Sequence, residues 1–173
     1  MFPKITFVLG GAASGKSAFA EQLVVKSDQS RVYLATSQIF DAEMRAKVDR
    51  HIFQRGAGWT TLEEPLDLGP ALSSIRADQT CLLDCATMWL TNHLLAENDL
   101  EVAQADLLTA LRACPGNVVI VSNEVGHGIV PDNALSRQFR EAQGRLNIAL
   151  AATADLAILV TAGLPLVLKG QLP

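Results

Sequence analysis

One stretch of eight residues, GGAASGKS at positions 10–17, limits what this chain can fold into more than any other feature. It matches the pattern G-x-x-x-x-G-K-[S/T], in which small residues let successive backbone N–H groups converge on a phosphate. Such a loop works between a buried strand and a helix, because the helix adds its free N–H groups and its positive dipole end. The pattern therefore predicts a sheet in which one strand ends in a phosphate-binding loop.

The flanking sequence fits that prediction. Residues 5–9 (ITFVL) are an apolar run typical of a buried strand, and residues 17–25 carry apolar side chains at helical spacing. Lys16 is expected to reach the terminal phosphates of a nucleotide, and the Ser17 hydroxyl is expected to bind Mg²⁺. The alternative, a glycine-rich turn without a ligand, is disfavoured because the flanks and all four key positions match. The predicted phosphate-binding residues are Gly10, Gly11, Ala12, Ala13, Ser14, Gly15, Lys16 and Ser17.

Composition narrows the class of protein. The chain has 173 residues, of which 49% are hydrophobic and 5% aromatic, which predicts one globular domain over residues 1–173. With 14 basic and 18 acidic residues and no basic run, nucleic acid is not an expected partner. No apolar run approaches the length of a membrane span, and the first strand leaves no room for a signal peptide. Three cysteines at no metal-ligand spacing complete the prediction of a cytoplasmic protein with reduced thiols.

Apolar strand segments alternate with helical segments along the rest of the chain. Further strands are predicted at 31–35, 59–62 (an edge strand), 80–84, 117–122, 156–160 and 166–168, and further helices at 41–55, 66–75, 87–97, 100–113 and 133–154. This order indicates an α/β fold, a three-layer sandwich with a mainly parallel sheet covered on both faces. Ligands of such sheets bind beyond the carboxyl ends of the strands. The predicted floor of the site is therefore residues 10–17, 36–38, 84–87 and 122–126.

Two acidic residues follow predicted strands. Asp84 is expected to hold Mg²⁺ directly or through water, because the phosphate loop creates a need for a cation; its alternative role is to cap the next helix. Glu124 is open between binding a metal, orienting a substrate hydroxyl and bracing the turn at residues 125–126.

His51 is the histidine with an informative setting. Lys47 and Arg55 lie four residues to either side of it on a predicted helix, so the three side chains share one face. A basic face with an imidazole suits a triphosphate, and neighbouring cations favour the neutral, nucleophilic ring. On composition alone, a solvated helix face with an incidental histidine is favoured.

Several segments together resemble the bifunctional adenosylcobinamide kinase / adenosylcobinamide-phosphate guanylyltransferase family of cobalamin biosynthesis. They cover nearly the whole chain in order and are TFVLGGAASGKS, VYLATSQIFDAEM, the His51-x-x-x-Arg55 pair before WTTLEEP, LLDCATMWLTN, VSNEVGHGIVP and GLPLVLKG. The glycine loop alone indicates only nucleotide phosphates, whereas the ATSQ, SNEVG and histidine segments are far more specific. Asp84 stands where the family often has Glu.

The resemblance implies a P-loop nucleotide-binding fold and two reactions. The terminal hydroxyl of adenosylcobinamide takes a γ-phosphoryl group from ATP or GTP; His51 then attacks the α-phosphate of GTP, and adenosylcobinamide phosphate takes the GMP to give adenosylcobinamide-GDP. The resemblance makes His51 and Lys16 catalytic and implies a homotrimer with the corrinoid near a subunit boundary. The cation is Mg²⁺, with Ser17 and Asp84 as its expected ligands. The further nucleotide-binding residues are Ala35, Thr36, Ser37, Arg55, Glu63 and Asp84.

Two other functions compete with this one. A small-molecule or nucleotide kinase would use the same loop, with Asp84 or Glu124 at the acceptor hydroxyl, and would need no histidine. A GTP-dependent switch would recognise guanine with an N-K-x-D segment after a late strand, and this chain has SNEV at residues 122–125 instead. The switch is therefore disfavoured.

Overall fold

The computed structural model describes residues 2–38 and 56–173. Within these ranges, seven strands and five helices follow one another along the chain. The strands are β1 (Ile5–Gly10), β2 (Ser30–Ala35), β3 (Trp59–Glu63), β4 (Gln79–Asp84), β5 (Asn117–Asn123), β6 (Leu156–Thr161) and β7 (Leu164–Lys169). The helices are α1 (Lys16–Lys26), α2 (Leu68–Ser73), α3 (Ala86–Leu95), α4 (Leu100–Ala113) and α5 (Ala134–Thr153). The helix predicted at residues 41–55, with His51 and Arg55, lies outside the described residues.

All seven strands form one sheet in the order β3-β2-β4-β5-β1-β6-β7. Every neighbouring pair is parallel except β6 and β7, which form an antiparallel hairpin. Because β1, β2, β4 and β5 are parallel, their carboxyl ends lie at one edge of the sheet. That edge carries the phosphate loop, Thr36, Asp84 and Glu124.

Helices cover both faces of the sheet, because successive residues of a strand pack against helices on opposite faces. Phe7 of β1 packs in a cluster with α2, α3, α4 and α5, whereas the next residue, Val8, packs in a second cluster with α1. Leu83 and Leu82 of β4 divide in the same way. Strands apolar on both sides are expected in a parallel sheet between two helical layers. The predicted three-layer α/β fold is confirmed.

One predicted boundary is wrong. Leu164 and Pro165 were expected in the turn between the last two strands, but they belong to β7. Ala162 and Gly163 complete the turn instead, with φ of 53° and 77°. Two residues with positive φ suffice for a tight hairpin whose twist matches its strands. Pro165 is tolerated because β7 is an edge strand.

Two other expectations concern the whole chain. None of the helices described is long and apolar enough to cross a membrane. The single domain over residues 1–173 stays a prediction, although all seven described strands share one sheet.

Candidate active site

The phosphate loop runs from the end of β1 to the start of α1, as the sequence predicts. Ala13 and Gly15 both have positive φ, of 55° and 90°, which turns the chain sharply before the helix. Gly15 is the N-cap of α1 and provides no side-chain cap. The first N–H groups of an α-helix have no intrahelical partner. The loop therefore presents uncapped donors at a positive dipole end, which is the geometry that binds a phosphate.

The loop is packed too closely for larger residues at two glycines. A Cβ on Gly10 would lie 2.7 Å from the Val160 carbonyl oxygen and closer still to Ser14 Oγ. A Cβ on Gly15 would lie 3.0 Å from Gly163 Cα. The Gly163 N–H also donates to the Ser14 carbonyl at 2.8 Å. The turn of the β6–β7 hairpin thus supports the phosphate loop from one side.

Lys16 lies half-buried against its own loop. Its Nζ donates to the Gly11 carbonyl at 3.1 Å. Burial lowers the pKa of Lys16 from its ordinary value, and the nearby Cys85 and Asp84 partly oppose that effect. A bound phosphate would provide the anionic partner that this ammonium group lacks in the loop.

Asp84 lies at the end of β4 with its carboxylate held in place. Tyr33, on the neighbouring strand, donates its hydroxyl proton to Asp84 Oδ2 at 3.0 Å. Asp84 does not cap α3: Cys85 is the N-cap, and its Sγ accepts from the Met88 N–H at 3.4 Å. The capping alternative for Asp84 is therefore wrong, and the carboxylate stays close to Lys16.

Thr36 joins the ends of β2 and β4 and is completely buried. Its hydroxyl donates to the Cys85 carbonyl at 2.8 Å and accepts from the Cys85 N–H at 2.9 Å. Asn92 of α3 donates to the Thr36 carbonyl at 2.8 Å. These bonds occupy the Thr36 side chain, so a nucleotide contact at this position would have to come from the neighbouring Ser37, which is half-buried.

The predicted nucleotide-binding residues lie at the ends of four strands. Gly10–Ser17 follow β1, Asp84 ends β4, Ala35 and Ser37 lie at the end of β2, and Glu63 ends β3. Adjacent strands lie about 4.8 Å apart, so three strand steps place β2 about 14 Å from β1, and a fourth places β3 about 19 Å away. Asp84 lies between these two extremes, because Ala35 is its register partner on β2 and only β5 separates β4 from β1.

Glu124 braces a turn in this structure. Its Oε1 accepts from the Gly126 N–H at 2.5 Å, and its own N–H donates to the Gly10 carbonyl at 3.0 Å. Arg140 of α5 donates to the Gly126 carbonyl at 2.5 Å. Of the three roles left open for Glu124, the structure shows the bracing one.

A buried polar network behind β5 was not predicted. Ser122 donates to Asn147 Oδ1 at 2.7 Å and accepts from Gln143 Nε2 at 3.0 Å, and Thr87 accepts from the Asn123 N–H at 2.8 Å. Ser122 and Thr87 were assigned to the floor of the site, but both are buried. The signal available in the sequence was the polar pair Gln143 and Asn147, four residues apart on the face of α5 that carries Leu146 and Leu150. The network fixes the end of β5 next to the phosphate loop.

A cavity of about 360 Å³ lies among α2, α3 and α4. His93 lies in its wall and has both ring nitrogens bonded, Nε2 to the Leu66 carbonyl at 3.1 Å and Nδ1 to Asn98 Nδ2 at 3.0 Å. The histidine is thus held as a structural group. Over the described ranges, no cluster of three or more His, Cys, Asp or Glu residues could hold a metal ion.

Comparison with known proteins decides the family. A family model described as cobinamide kinase / cobinamide phosphate guanyltransferase matches residues 6–168. The chain belongs to this family. It is 43% identical over 167 residues to the bifunctional adenosylcobalamin biosynthesis protein CobP of Pseudomonas aeruginosa, covering 95% of this chain and 96% of that protein. It is also 43% identical over 178 residues to the bifunctional adenosylcobalamin biosynthesis protein CobU of Salmonella typhimurium, covering 94% and 98% respectively.

Membership of the cobinamide kinase / cobinamide phosphate guanyltransferase family makes the protein an enzyme and confirms the resemblance found in the sequence. Solved structures support the fold alone. The flagellar accessory protein FlaH from Methanocaldococcus jannaschii aligns with a TM-score of 0.52 and 10% identity, over 97% of this chain and 79% of that one. An ATPase from the type III secretion system of pathogenic bacteria aligns with a TM-score of 0.56 and 11% identity, over 91% and 51%.

Proposed function

We propose that this enzyme phosphorylates adenosylcobinamide with ATP or GTP and then transfers GMP from GTP to the product, giving adenosylcobinamide-GDP. The observation that carries the proposal is the phosphate loop, complete between β1 and α1, with Asp84 next to Lys16 at the same edge of the sheet. Family membership supplies the acceptor, because the fold and the loop alone specify only a nucleotide. The place of the reaction in cobalamin biosynthesis follows from the same membership.

In the kinase step, the oxygen of the substrate hydroxyl attacks the γ-phosphorus of the nucleotide, and the nucleoside diphosphate leaves. Catalysis of such a transfer is mostly positioning and electrostatic stabilisation. In this step Lys16 and the N-terminal N–H groups of α1 hold the non-bridging oxygens, a role supported by the loop between β1 and α1. The Lys16 ammonium exchanges its bond to the Gly11 carbonyl for bonds to phosphate.

The donor set at this edge fits Mg²⁺. The Ser17 hydroxyl and one Asp84 carboxylate oxygen are hard oxygen ligands of the kind that Mg²⁺ takes alongside water and phosphate oxygens. Bound there, Mg²⁺ would neutralise charge that develops on the transferred group. Asp84 needs no movement away from a helix cap to take part, since Cys85 caps α3.

In the guanylyltransferase step, a ring nitrogen of His51 attacks the α-phosphorus of GTP, and pyrophosphate leaves. A phosphate oxygen of adenosylcobinamide phosphate then attacks the guanylylated histidine, which regenerates the imidazole. A covalent intermediate divides one difficult displacement into two easier ones. His51 lies outside the described residues, so this role rests on the family and on its basic neighbours in the sequence, Lys47 and Arg55.

The test of the whole proposal is a GMP adduct. We expect mass spectrometry of the protein incubated with GTP and Mg²⁺ to place an acid-labile GMP on His51. His51→Ala should lose guanylyl transfer and keep a measurable kinase reaction, because phosphoryl transfer to a hydroxyl needs no protein nucleophile. His127→Ala, which removes an exposed histidine from the loop after β5, is the matched control and should still form the adduct. An unlabelled protein that phosphorylates cobinamide would indicate a kinase alone.

The proposal extends to a homotrimer working in the cytoplasm. Its support is the family resemblance, the exposed leucines of edge strand β7 (Leu164, Leu166 and Leu168) and three free, buried cysteines. Buried reduced thiols are typical of a reducing compartment. Sedimentation equilibrium should give three times the chain mass of 18.5 kDa; a monomer or dimer mass would contradict the trimer.

A further inference from the structure

Tyr33 is the one tyrosine of the chain, and it contacts the proposed metal ligand. Its side chain is 8% exposed, and its hydroxyl donates to Asp84 Oδ2 at 3.0 Å. The sequence gives no sign of this contact, because the two residues are 51 positions apart. Their meeting depends on the pairing of β2 with β4.

The strand register places the two side chains on one face. In the parallel pair of β2 and β4, Tyr33 is opposite Leu82 and Ala35 is opposite Asp84. Residues two apart on a strand point to the same side, so Tyr33 and Asp84 share the face that α1 covers. The Tyr33 ring therefore extends along the strand direction, over a distance of two residues, and its hydroxyl reaches Asp84 at the carboxyl edge of the sheet.

The ring itself is held by its neighbours. Trp59 of β3 packs edge-on against it, with ring centroids 6.4 Å apart and an interplanar angle of 85°. Such an arrangement is favoured between aromatic rings. Rigid packing fixes the Tyr33 hydroxyl, and through it the orientation of the Asp84 carboxylate.

We propose that Tyr33 is a positioning residue for the nucleotide-bound Mg²⁺: it holds one oxygen of Asp84 so that the other faces the metal beside Ser17. This inference rests on the metal role given to Asp84 in the proposed function. A hydroxyl suits the task because it is a neutral donor. A cation in its place would compensate the carboxylate charge that attracts the metal, whereas a tyrosine fixes the geometry and leaves that charge intact.

Metal affinity separates this role from simple packing. We expect Tyr33→Phe to weaken Mn²⁺ binding to the protein–GDP complex about tenfold, since removing a partner of a metal ligand commonly costs 10–100-fold in affinity. GDP serves as the nucleotide because it permits neither phosphoryl nor guanylyl transfer, and electron paramagnetic resonance counts the free Mn²⁺. GDP affinity without metal should stay within about twofold of wild type. Trp59→Phe, which keeps an aromatic ring beside Tyr33 and leaves the hydroxyl in place, should bind Mn²⁺ nearly as wild type does.

Asp84→Asn keeps the two hypotheses distinguishable. A large loss of Mn²⁺ affinity in Asp84→Asn with none in Tyr33→Phe would overturn the role of Tyr33 and leave that of Asp84. Unchanged affinity in both variants would overturn both. The GMP adduct on His51 is measured in a separate experiment, and guanylyl transfer is therefore tested independently of metal binding.

A spectroscopic signal reports the contact without any mutation at Tyr33. Protein made with 3-fluorotyrosine should give a ¹⁹F resonance that reports on Tyr33 alone, because the chain has one tyrosine. We expect Mg²⁺ added to the GDP complex to shift that resonance, and the shift to be lost in Asp84→Asn. If the chemical shift of this resonance does not change when Mg²⁺ is added to the wild-type GDP complex, the proposal is contradicted.

Discussion

At the scale of single residues, Lys16 and Asp84 form the most informative pair. Lys16 donates to the Gly11 carbonyl of its own loop, and Asp84 accepts from Tyr33. Neither side chain therefore depends on the other for its position, although Asp84 is near enough to affect the Lys16 pKa. Two opposite charges held apart in this way can take a phosphate and a cation between them.

Lys16→Ala should abolish both reactions and leave the fold intact. Loss of one preorganised charge contact at a reacting phosphate costs about 10²–10³-fold in turnover. The fold should survive because the Lys16 ammonium forms no salt bridge with an acidic side chain of residues 2–38 or 56–173, and burial already disfavours its charge. Steady-state kinetics and circular dichroism measure the two effects.

Lys26→Ala is the control for that variant, because it removes an exposed lysine from the last turn of the same helix. It should keep both activities. Near wild-type phosphorylation of cobinamide by Lys16→Ala would instead show that the loop does not serve the kinase step.

At the scale of elements, the Thr36 side chain connects the end of β2 to the residue that follows β4. The Thr36 hydroxyl bonds to both the N–H and the carbonyl of Cys85, and the Thr36 N–H donates to the Asp84 carbonyl at 3.2 Å. These contacts hold the strand end that carries Asp84 and begin α3 at a fixed place. The site is thus braced by residues that a substrate does not touch.

Thr36→Val should destabilise the protein by about 1–3 kcal/mol, because it leaves the N–H and the carbonyl of Cys85 buried without their hydroxyl partner. Urea unfolding at neutral pH measures the loss. Thr61→Val makes the same change on the exposed surface of β3 and should alter the free energy of unfolding by less than about 0.5 kcal/mol. Equal effects in both variants would mean that the Thr36 bridge contributes little.

The sequence predicts the strands and the phosphate loop, but it does not predict the contacts of Thr36 and Tyr33. Apolar runs placed every described strand within about two residues, and the spacing of small residues identified the phosphate loop, because both signals are local. The Thr36–Cys85 and Tyr33–Asp84 contacts join residues 49 and 51 positions apart. Their existence depends on which strands pair, and strands that are apolar on both faces, as in a parallel sheet, carry no alternation that would specify it. The polar network around Ser122 was missed for the same reason.

At the scale of the whole molecule, the buried thiols link stability to pH. Burial raises the pKa of Cys85 to about 11 from an ordinary 9.0, the Asp84 carboxylate adding to the effect, and burial also raises the pKa of Cys81. Above pH 9 the thiols of the unfolded chain lose their protons while those of the folded protein keep them. The unfolded state then binds fewer protons, so the free energy of unfolding falls as pH rises. Lys16, whose pKa is lowered, opposes this trend in part.

We therefore expect the contribution of Cys85 to the free energy of unfolding to be constant below about pH 8. It should decline between pH 9 and about 11. One thiol contributes at most about 1.4 kcal/mol per pH unit. Cys85→Ser, which keeps a side chain able to cap α3, should decline less steeply. Urea unfolding at pH 8, 9 and 10 gives the slopes, and identical slopes in the two proteins would refute the assignment to Cys85.

The position of β1 between β5 and β6 has a consequence for how the enzyme is made. Ile5 pairs with Val118, its N–H donates to Asp155 Oδ2 at 2.9 Å, and Ser14 accepts from Gly163. The ribosome therefore delivers the phosphate loop first and its supports more than 100 residues later. Nascent chains arrested before β5 should not retain labelled GTP on filters. Bound nucleotide would then stabilise only the complete, folded chain. It would not stabilise a chain still on the ribosome or a fragment released before β5 is made.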